Sequence, residues 1–126
     1  MERLTIKVML MGMVVMTSCY YDVAEELYPP TTCVTDNMSL QSNIVPILER
    51  NCYVCHSVTD GPNNGNVILE GYTELIKYVD NGQLVGAINH ESGFSFMPKN
   101  AAKLGDCDIS KIEHWVLDGA PNNSMV

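Results

Sequence analysis

Apolar residues recur at helical spacing in three main segments of the chain. A helix has 3.6 residues per turn, so apolar side chains three or four positions apart share one face. The first helix is predicted to start at Ser42 or Asn43 rather than at Ser39, because Pro46 is tolerated only near a helix start, and to end near Arg50. The apolar positions are Leu40, Ile44, Ile47 and Leu48 in the first segment, Leu75, Ile76 and Val79 in the second, and Ile109, Ile112, Trp115 and Val116 in the last.

Capping and turn residues predict the bounds of the other helices. Thr73 can cap the second helix, and Gly82 ends it. A short helix is predicted over 83–89, directly after that glycine. Asp108 can cap the last helix, which Gly119 stops. Strand signals are nearly absent, so the pattern predicts an all-α domain of three to five helices.

A separate apolar run, residues 8–16, follows Arg3 and Lys7 near the start of the chain. A short basic region followed by an apolar stretch is typical of a secretory signal, and this run is shorter than the roughly 20 residues that span a bilayer. It ends in Met16-Thr17-Ser18-Cys19, which resembles the lipobox of bacterial lipoproteins, with Met16 where leucine is usual. We therefore expect a signal peptide over 1–18 and a lipid on Cys19, in a periplasmic or cell-surface lipoprotein of a bacterium. An ordinary signal peptide cleaved nearby is the alternative.

The expected mature chain divides into a tether, a domain and a tail. Residues 19–37 lack a helical period, and Tyr28-Pro29-Pro30 favours an extended conformation, which predicts a flexible tether. Residues 38–123 form the predicted domain, and residues 124–126 are a tail. A chain this short buries little core by itself.

The chain is acidic, with a formal net charge of −8. Loss of residues 1–18 removes two positive charges and one negative charge, which makes the mature net charge −9. The sequence holds no basic patch of the kind that nucleic-acid binding requires, so we expect no nucleic-acid partner. An acidic surface suits protein partners with positively charged faces, although solubility alone also explains it.

Cys52-Tyr53-Val54-Cys55-His56 is the most specific motif of the chain. Cys-x-x-Cys-His is the attachment site of a c-type haem. Two thiols one helical turn apart can add to the two vinyl groups of one porphyrin, and the histidine after the second thiol becomes an axial ligand of the iron. The motif predicts one haem c, bound covalently through Cys52 and Cys55 and ligated by His56.

A zinc site or a reducing disulfide also uses Cys-x-x-Cys. A structural zinc site needs four N or S ligands, and the sequence has no second Cys-x-x-Cys and no His-x-x-x-His. A thioredoxin-like motif is expected beside a βαβ pattern, which is absent here. The sequence therefore favours haem over both alternatives.

The remaining cysteines fit an exported protein. The chain has five cysteines. With Cys52 and Cys55 assigned to haem and Cys19 to lipid, Cys33 and Cys107 are left, and an even pair in an oxidising compartment is most simply a disulfide. Two buried free thiols are the alternative.

The order of the motifs resembles a class I cytochrome c. Residues 97–104 and 112–121, which contain Met97-Pro98-Lys99 and Ile-x-x-Trp-Val-x-x-Gly-Ala-Pro, are similar to the small cytochrome c domains of Bacteroidetes lipoproteins and planctomycete-type proteins. The resemblance covers residues 39–123. It implies a small cytochrome c fold around one haem, His and Met axial ligands, and electron transfer. Family members often follow the haem motif with a Gly-Pro pair whose carbonyl holds the proximal histidine; Gly61-Pro62 resembles that pair but comes early.

Met97 is the predicted sixth ligand of the iron. It lies in a non-helical segment between Phe96 and Pro98, where a stiff proline could present the thioether, whereas Met38 and Met125, the other two methionines of the mature chain, are expected at frayed ends. A core-filling methionine is the alternative. His90 is the competing ligand, because imidazole also binds iron.

The predicted function is that of a membrane-anchored monohaem electron carrier outside the cytoplasm, which is not an enzyme. A peroxidase-like haem subunit or a haem sensor of small ligands is the alternative. Both need an open sixth position on the iron, and the sequence shows no acid/base constellation to support them.

Overall fold

The computed structural model describes residues 32–124, and in this range the chain is helical with no strand. A compact unit spans Cys33–Val126. The predicted all-α class is confirmed for the described residues. The predicted signal peptide, Cys19, most of the tether and the last two residues lie outside them. The five α-helices are α1 (Val45–Asn51), α2 (Tyr53–His56), α3 (Tyr72–Asp80), α4 (Gln83–Asn89) and α5 (Asp106–Leu117).

The first helical turn of the described chain begins earlier than the sequence predicts. A wide π-helical turn, Leu40–Ile44, precedes α1, and Ser39 caps it by accepting a hydrogen bond from the Ser42 backbone N–H at 3.3 Å. This turn places Pro46 in the first turn of α1, where its missing N–H costs little. The predicted start at Ser42 or Asn43 is therefore wrong in both respects: helical structure begins at Leu40, directly after Ser39, and regular α-helix begins only at Val45.

The end of the chain completes this helix start. The first N–H groups of any helix lack partners within the helix. Here the Leu40 N–H donates to the side-chain carbonyl of Asn123 at 2.9 Å, and the Gln41 N–H donates to its backbone carbonyl at 3.2 Å. The buried Ser39 hydroxyl donates to the same backbone carbonyl at 3.2 Å. Asn123 thus ties the end of the described chain to the start of its first helical turn.

Two predicted caps are replaced by glycine. Helix α3 begins at Tyr72 after Gly71, which has φ +86°, so Thr73 lies inside the helix rather than at its cap. Helix α5 begins at Asp106 after Gly105, so Asp108 lies in the first turn instead of capping it. A carboxylate in the first turn still favours the helix through its dipole. The short helix α4 has the predicted bounds.

The core draws apolar side chains from every helix except α2. Trp115 is fully buried in α5, and its indole N–H donates to the Pro121 carbonyl at 3.1 Å, which satisfies the polar atom of a buried ring. The hydroxyl of the half-buried Tyr72 donates to the Ala120 carbonyl at 3.1 Å. Helix α5 contacts both the π-helical turn and α4. Helix α2, which carries the end of the haem motif, contributes no buried residue and so lies at the edge of the core.

Cys33 and Cys107 are joined in a disulfide. Their Cα atoms are 5.6 Å apart, within the usual range for such a bond. The bond links the first residue of the compact unit to the first turn of α5, across 74 positions of sequence. Arg50 of α1 also reaches α5, with its guanidinium 3.7 Å from the Asp108 carboxylate.

Replacing both Cys33 and Cys107 with serine is expected to lower the free energy of unfolding by about 2–4 kcal/mol, because the cross-link restricts the unfolded chain. Chemical denaturation of the two proteins measures this difference. Peptide mapping without reduction should recover residues 33 and 107 on one cross-linked peptide pair. Recovery of both as free thiols would contradict the pairing.

Candidate functional site

The two thiols of the haem motif lie one turn apart at the junction of α1 and α2. Cys52 sits between the two helices, and its carbonyl accepts hydrogen bonds from the N–H groups of Cys55 at 3.1 Å and His56 at 2.9 Å. This turn brings both cysteines and the histidine into one short helical segment. Cys52 is half-buried and Cys55 is exposed, and neither forms a disulfide. Both sulfurs are therefore free for covalent attachment.

The imidazole of His56 is held by one nitrogen. Its Nδ1 lies 3.1 Å from the Val67 backbone carbonyl. A carbonyl oxygen only accepts hydrogen bonds, so Nδ1 carries the proton and donates it. The neutral ring then has its lone pair on Nε2, which is the form of histidine that binds a metal. This hydrogen bond orients the ring and leaves Nε2 as the nitrogen that could bind a metal.

The segment after Gly61 folds back under His56 and provides that carbonyl. The Leu69 N–H donates to the His56 backbone carbonyl at 2.8 Å, so His56 is tied to residues 67–69 through both its ring and its backbone. The Glu70 carboxylate accepts from the Val58 N–H at 2.8 Å. Together these bonds fix the end of the Cys-x-x-Cys-His motif and the residues that follow it.

The expectation that the Gly61-Pro62 pair holds the ring of His56 is wrong. The acceptor is the Val67 carbonyl and not that of Gly61-Pro62. Gly61 is buried, and a Cβ at this position would lie 2.5 Å from the Val67 oxygen. The glycine is therefore needed because the chain passes directly against the carbonyl that binds the histidine.

Burial sets the protonation of the residues at the start of the motif. Burial raises the pKa of the Cys52 thiol to about 11. Burial, followed by the nearby carboxylates of Glu70 and Glu49, raises the pKa of Tyr53 to about 12. Both groups keep their protons at neutral pH.

Met97 lies in the loop that follows α4. Its N–H donates to the Ala87 carbonyl at 3.1 Å, and its carbonyl lies 3.0 Å from Nε2 of His90. Phe94 packs onto Gly86 of α4, where a Cβ would meet the ring at 2.4 Å. The loop is therefore held against the end of α4 by backbone, imidazole and aromatic contacts.

A cavity of about 530 Å³ opens beside this loop. Two aromatic rings, a proline and a lysine contribute to its wall. The lining residues are His90, Phe94, Ser95, Phe96, Pro98, Lys99, Asn100 and Ala101.

The structure brings the predicted site residues together in two groups. Cys52, Cys55 and His56 share one helical segment, and Met97 shares its loop with the competing candidate His90. His90 and seven residues of the following loop line the cavity, whereas Met97 and the residues of the Cys-x-x-Cys-His motif do not. Within residues 32–124 no group of three or more His, Cys, Asp or Glu side chains is placed to hold a metal ion.

Sequence reasoning missed Val67 and considered His90 only as a competing iron ligand. Val67 acts through its backbone carbonyl, so its side chain gives no signal. The structural use of His90 had an indirect signal in its position at the end of a short helix, where a left-handed residue is common. His90 has φ +60° and ψ +39°.

Comparison of the chain with protein-family models, with curated proteins and with solved structures finds no match. Within the described range, no helix has both the length and the apolar character needed to cross a membrane.

Proposed function

We propose that this protein is a c-type cytochrome with one haem, anchored to a membrane outside the cytoplasm, that passes single electrons between redox partners. The observation that carries the proposal is the pairing of two free thiols one turn apart with a histidine whose Nδ1 is engaged by a carbonyl. Cys52, Cys55 and His56 then supply the two thiols and the imidazole that haem attachment needs. We also propose that the helical domain has the fold of a small cytochrome c.

The donor set fits haem better than zinc. A structural zinc site needs four N or S ligands. The pentapeptide offers two thiols and one imidazole, and Cys33 and Cys107 are bonded to each other. Covalent haem attachment needs only the two thiols and one axial histidine from this segment, all of which are present.

Met97 is the proposed second axial ligand. Its backbone is held at both polar groups, which leaves the side chain as the variable part of the residue. His90 is the competing candidate, and it would have to bind iron through Nδ1, because its Nε2 is already bonded to the Met97 carbonyl. A ligand role for that nitrogen would break the contact that holds the loop.

Bound haem supplies one-electron chemistry through its iron, with axial ligands that tune the potential. The work of this chain is then to hold ligands and exclude water. Val67 fixes the ring of His56, and α4 fixes the loop of Met97. Two protein ligands leave no open position on the iron, which favours electron transfer over the peroxidase-like or sensor alternatives.

An optical redox titration of the purified holoprotein tests this function. We expect one reversible one-electron transition and no carbon monoxide adduct of the reduced protein, because both axial positions are filled. Rapid formation of a carbon monoxide adduct by the wild-type protein would favour the enzyme or the sensor instead.

The membrane attachment proposed through Cys19 rests on the apolar run and the lipobox-like residues 16–19. Changing Cys19 to alanine is expected to move the protein from the membrane fraction to the soluble fraction, or to block its processing. Fractionation and mass spectrometry of the mature N-terminus measure this. An unmodified mature N-terminus elsewhere in the wild-type protein would refute the lipid anchor.

The acidic chain suits redox partners with positively charged faces.

A further inference from the structure

We infer that His90 is a positioning residue that holds Met97 in place as an iron ligand, rather than a ligand itself. The inference rests on the proposed function, because it concerns the sixth ligand of a haem iron. It assigns a role to a histidine that the haem motif does not use. The juxtaposition that carries it is the imidazole of His90 against the backbone carbonyl of Met97.

The first step is the hydrogen bond itself. Nε2 of His90 lies 3.0 Å from the Met97 carbonyl oxygen, and because a carbonyl only accepts, the imidazole donates. The Met97 N–H donates to the Ala87 carbonyl at 3.1 Å. Both backbone polar groups of Met97 are thus bound to the C-terminal end of α4 or to the residue after it. His90 supplies half of that attachment.

The second step is the aromatic contact beside it. The rings of His90 and Phe96 are stacked, with centroids 4.7 Å apart and planes within 5° of each other. Phe96 directly precedes Met97 and is 53% exposed, so this contact holds a side chain that the core does not bury. Stacked aromatic pairs contribute beyond the area they bury. One imidazole therefore restrains two consecutive residues of the loop.

The third step is the backbone of His90. The residue caps α4 with φ +60° and ψ +39°, in the left-handed region where glycine or asparagine is preferred. A histidine here bears a conformational cost that glycine would avoid. A side chain that makes two contacts to the Met97 loop offsets that cost. Glycine is consequently a suitable replacement, since it removes the ring and fits the backbone.

The test compares three variants of the holoprotein. His90→Gly removes the imidazole at a position that glycine tolerates, His90→Gln keeps a donor that can reach a carbonyl, and His114→Ala removes an exposed histidine from α5 as a control. The readouts are the sulfur-to-iron charge-transfer absorption of the ferric protein, the reduction potential and carbon monoxide binding to the reduced protein.

In His90→Gly we expect the population with Met97 off the iron to rise about tenfold, because a hydrogen bond and a stacked pair are lost together. The charge-transfer absorption should then vanish at a lower denaturant concentration than in wild type, and carbon monoxide should bind faster. His90→Gln should recover part of the difference. His114→Ala should match the wild type.

The outcomes separate the inference from the proposed function. A wild-type protein with the sulfur-to-iron absorption and a His90→Gly variant with the same absorption, potential and carbon monoxide rate would overturn the positioning role alone. A wild-type protein without that absorption would overturn both the Met97 assignment and the positioning role. If the wild-type protein has the spectrum of a bis-histidine haem and His90→Gly loses it, His90 is itself the ligand, and the inference is overturned.

Discussion

Replacing Cys52 and Cys55 together with alanine is expected to abolish covalent haem attachment completely. Each thiol forms one thioether to a porphyrin vinyl group, and no other described cysteine is free, since Cys33 and Cys107 are bonded to each other. Mass spectrometry of protein matured in a host with haem-ligation machinery should show one added haem in wild type that survives denaturation. The double variant should show none.

The matched control changes Cys33 and Cys107 to serine. This variant also loses two cysteines, but it should keep one covalent haem per chain, because both thiols of α2 and its junction remain. Single replacement of the exposed Cys55 or the half-buried Cys52 should leave at most one thioether. A covalent haem retained in the Cys52/Cys55 double variant would rule out the assignment of the pentapeptide.

The helices were predictable wherever the local pattern was sufficient. Helix α4 has the predicted bounds, and the predicted inward residues Ile109, Ile112 and Trp115 are buried in α5. The start of the first helix was not predictable in the same way. Its first N–H groups are satisfied by Asn123, which lies more than 80 positions later, and no local pattern encodes such a partner.

The caps of α3 and α5 were missed for a different reason. Side-chain caps were sought in Thr73 and Asp108, whereas the structure uses Gly71 and Gly105 ahead of them. Gly71 has a positive φ that a residue with a side chain adopts only under strain. The backbone conformation of the loop therefore decides where α3 begins, and a preference for capping side chains could not predict that position.

The site was predictable where side-chain chemistry defines it. Cys52, Cys55 and His56 follow from residue identity and spacing alone. The orientation of His56 depends on the Val67 carbonyl, a backbone atom present in every residue type. The sequence indicates this carbonyl only indirectly, because the chain passes so close to it that position 61 must be glycine. In the sequence that glycine was interpreted as half of a Gly-Pro pair.

Replacing Met97 with alanine is expected to have the second largest effect, because it decides whether the iron keeps a sixth protein ligand. The ferric variant should lose the sulfur-to-iron charge-transfer absorption completely. Its reduction potential should fall, since a thioether ligand favours the reduced iron and axial ligands help to spread haem potentials over about 0.8 V. The reduced variant should also bind carbon monoxide, which the wild type should exclude.

The control for this variant is Met38→Ala, because Met38 is buried in the core. A core methionine replaced by alanine costs stability, by roughly 2–5 kcal/mol, without touching the iron. If Met97 only fills space, both variants should lose stability and both should keep the wild-type absorption and potential. If Met97 is the ligand, the spectral and redox changes should appear in Met97→Ala alone. Equal spectra in the two variants would therefore reject Met97 as the ligand, and an open iron already present in the wild type would replace the electron carrier with the enzyme or the sensor.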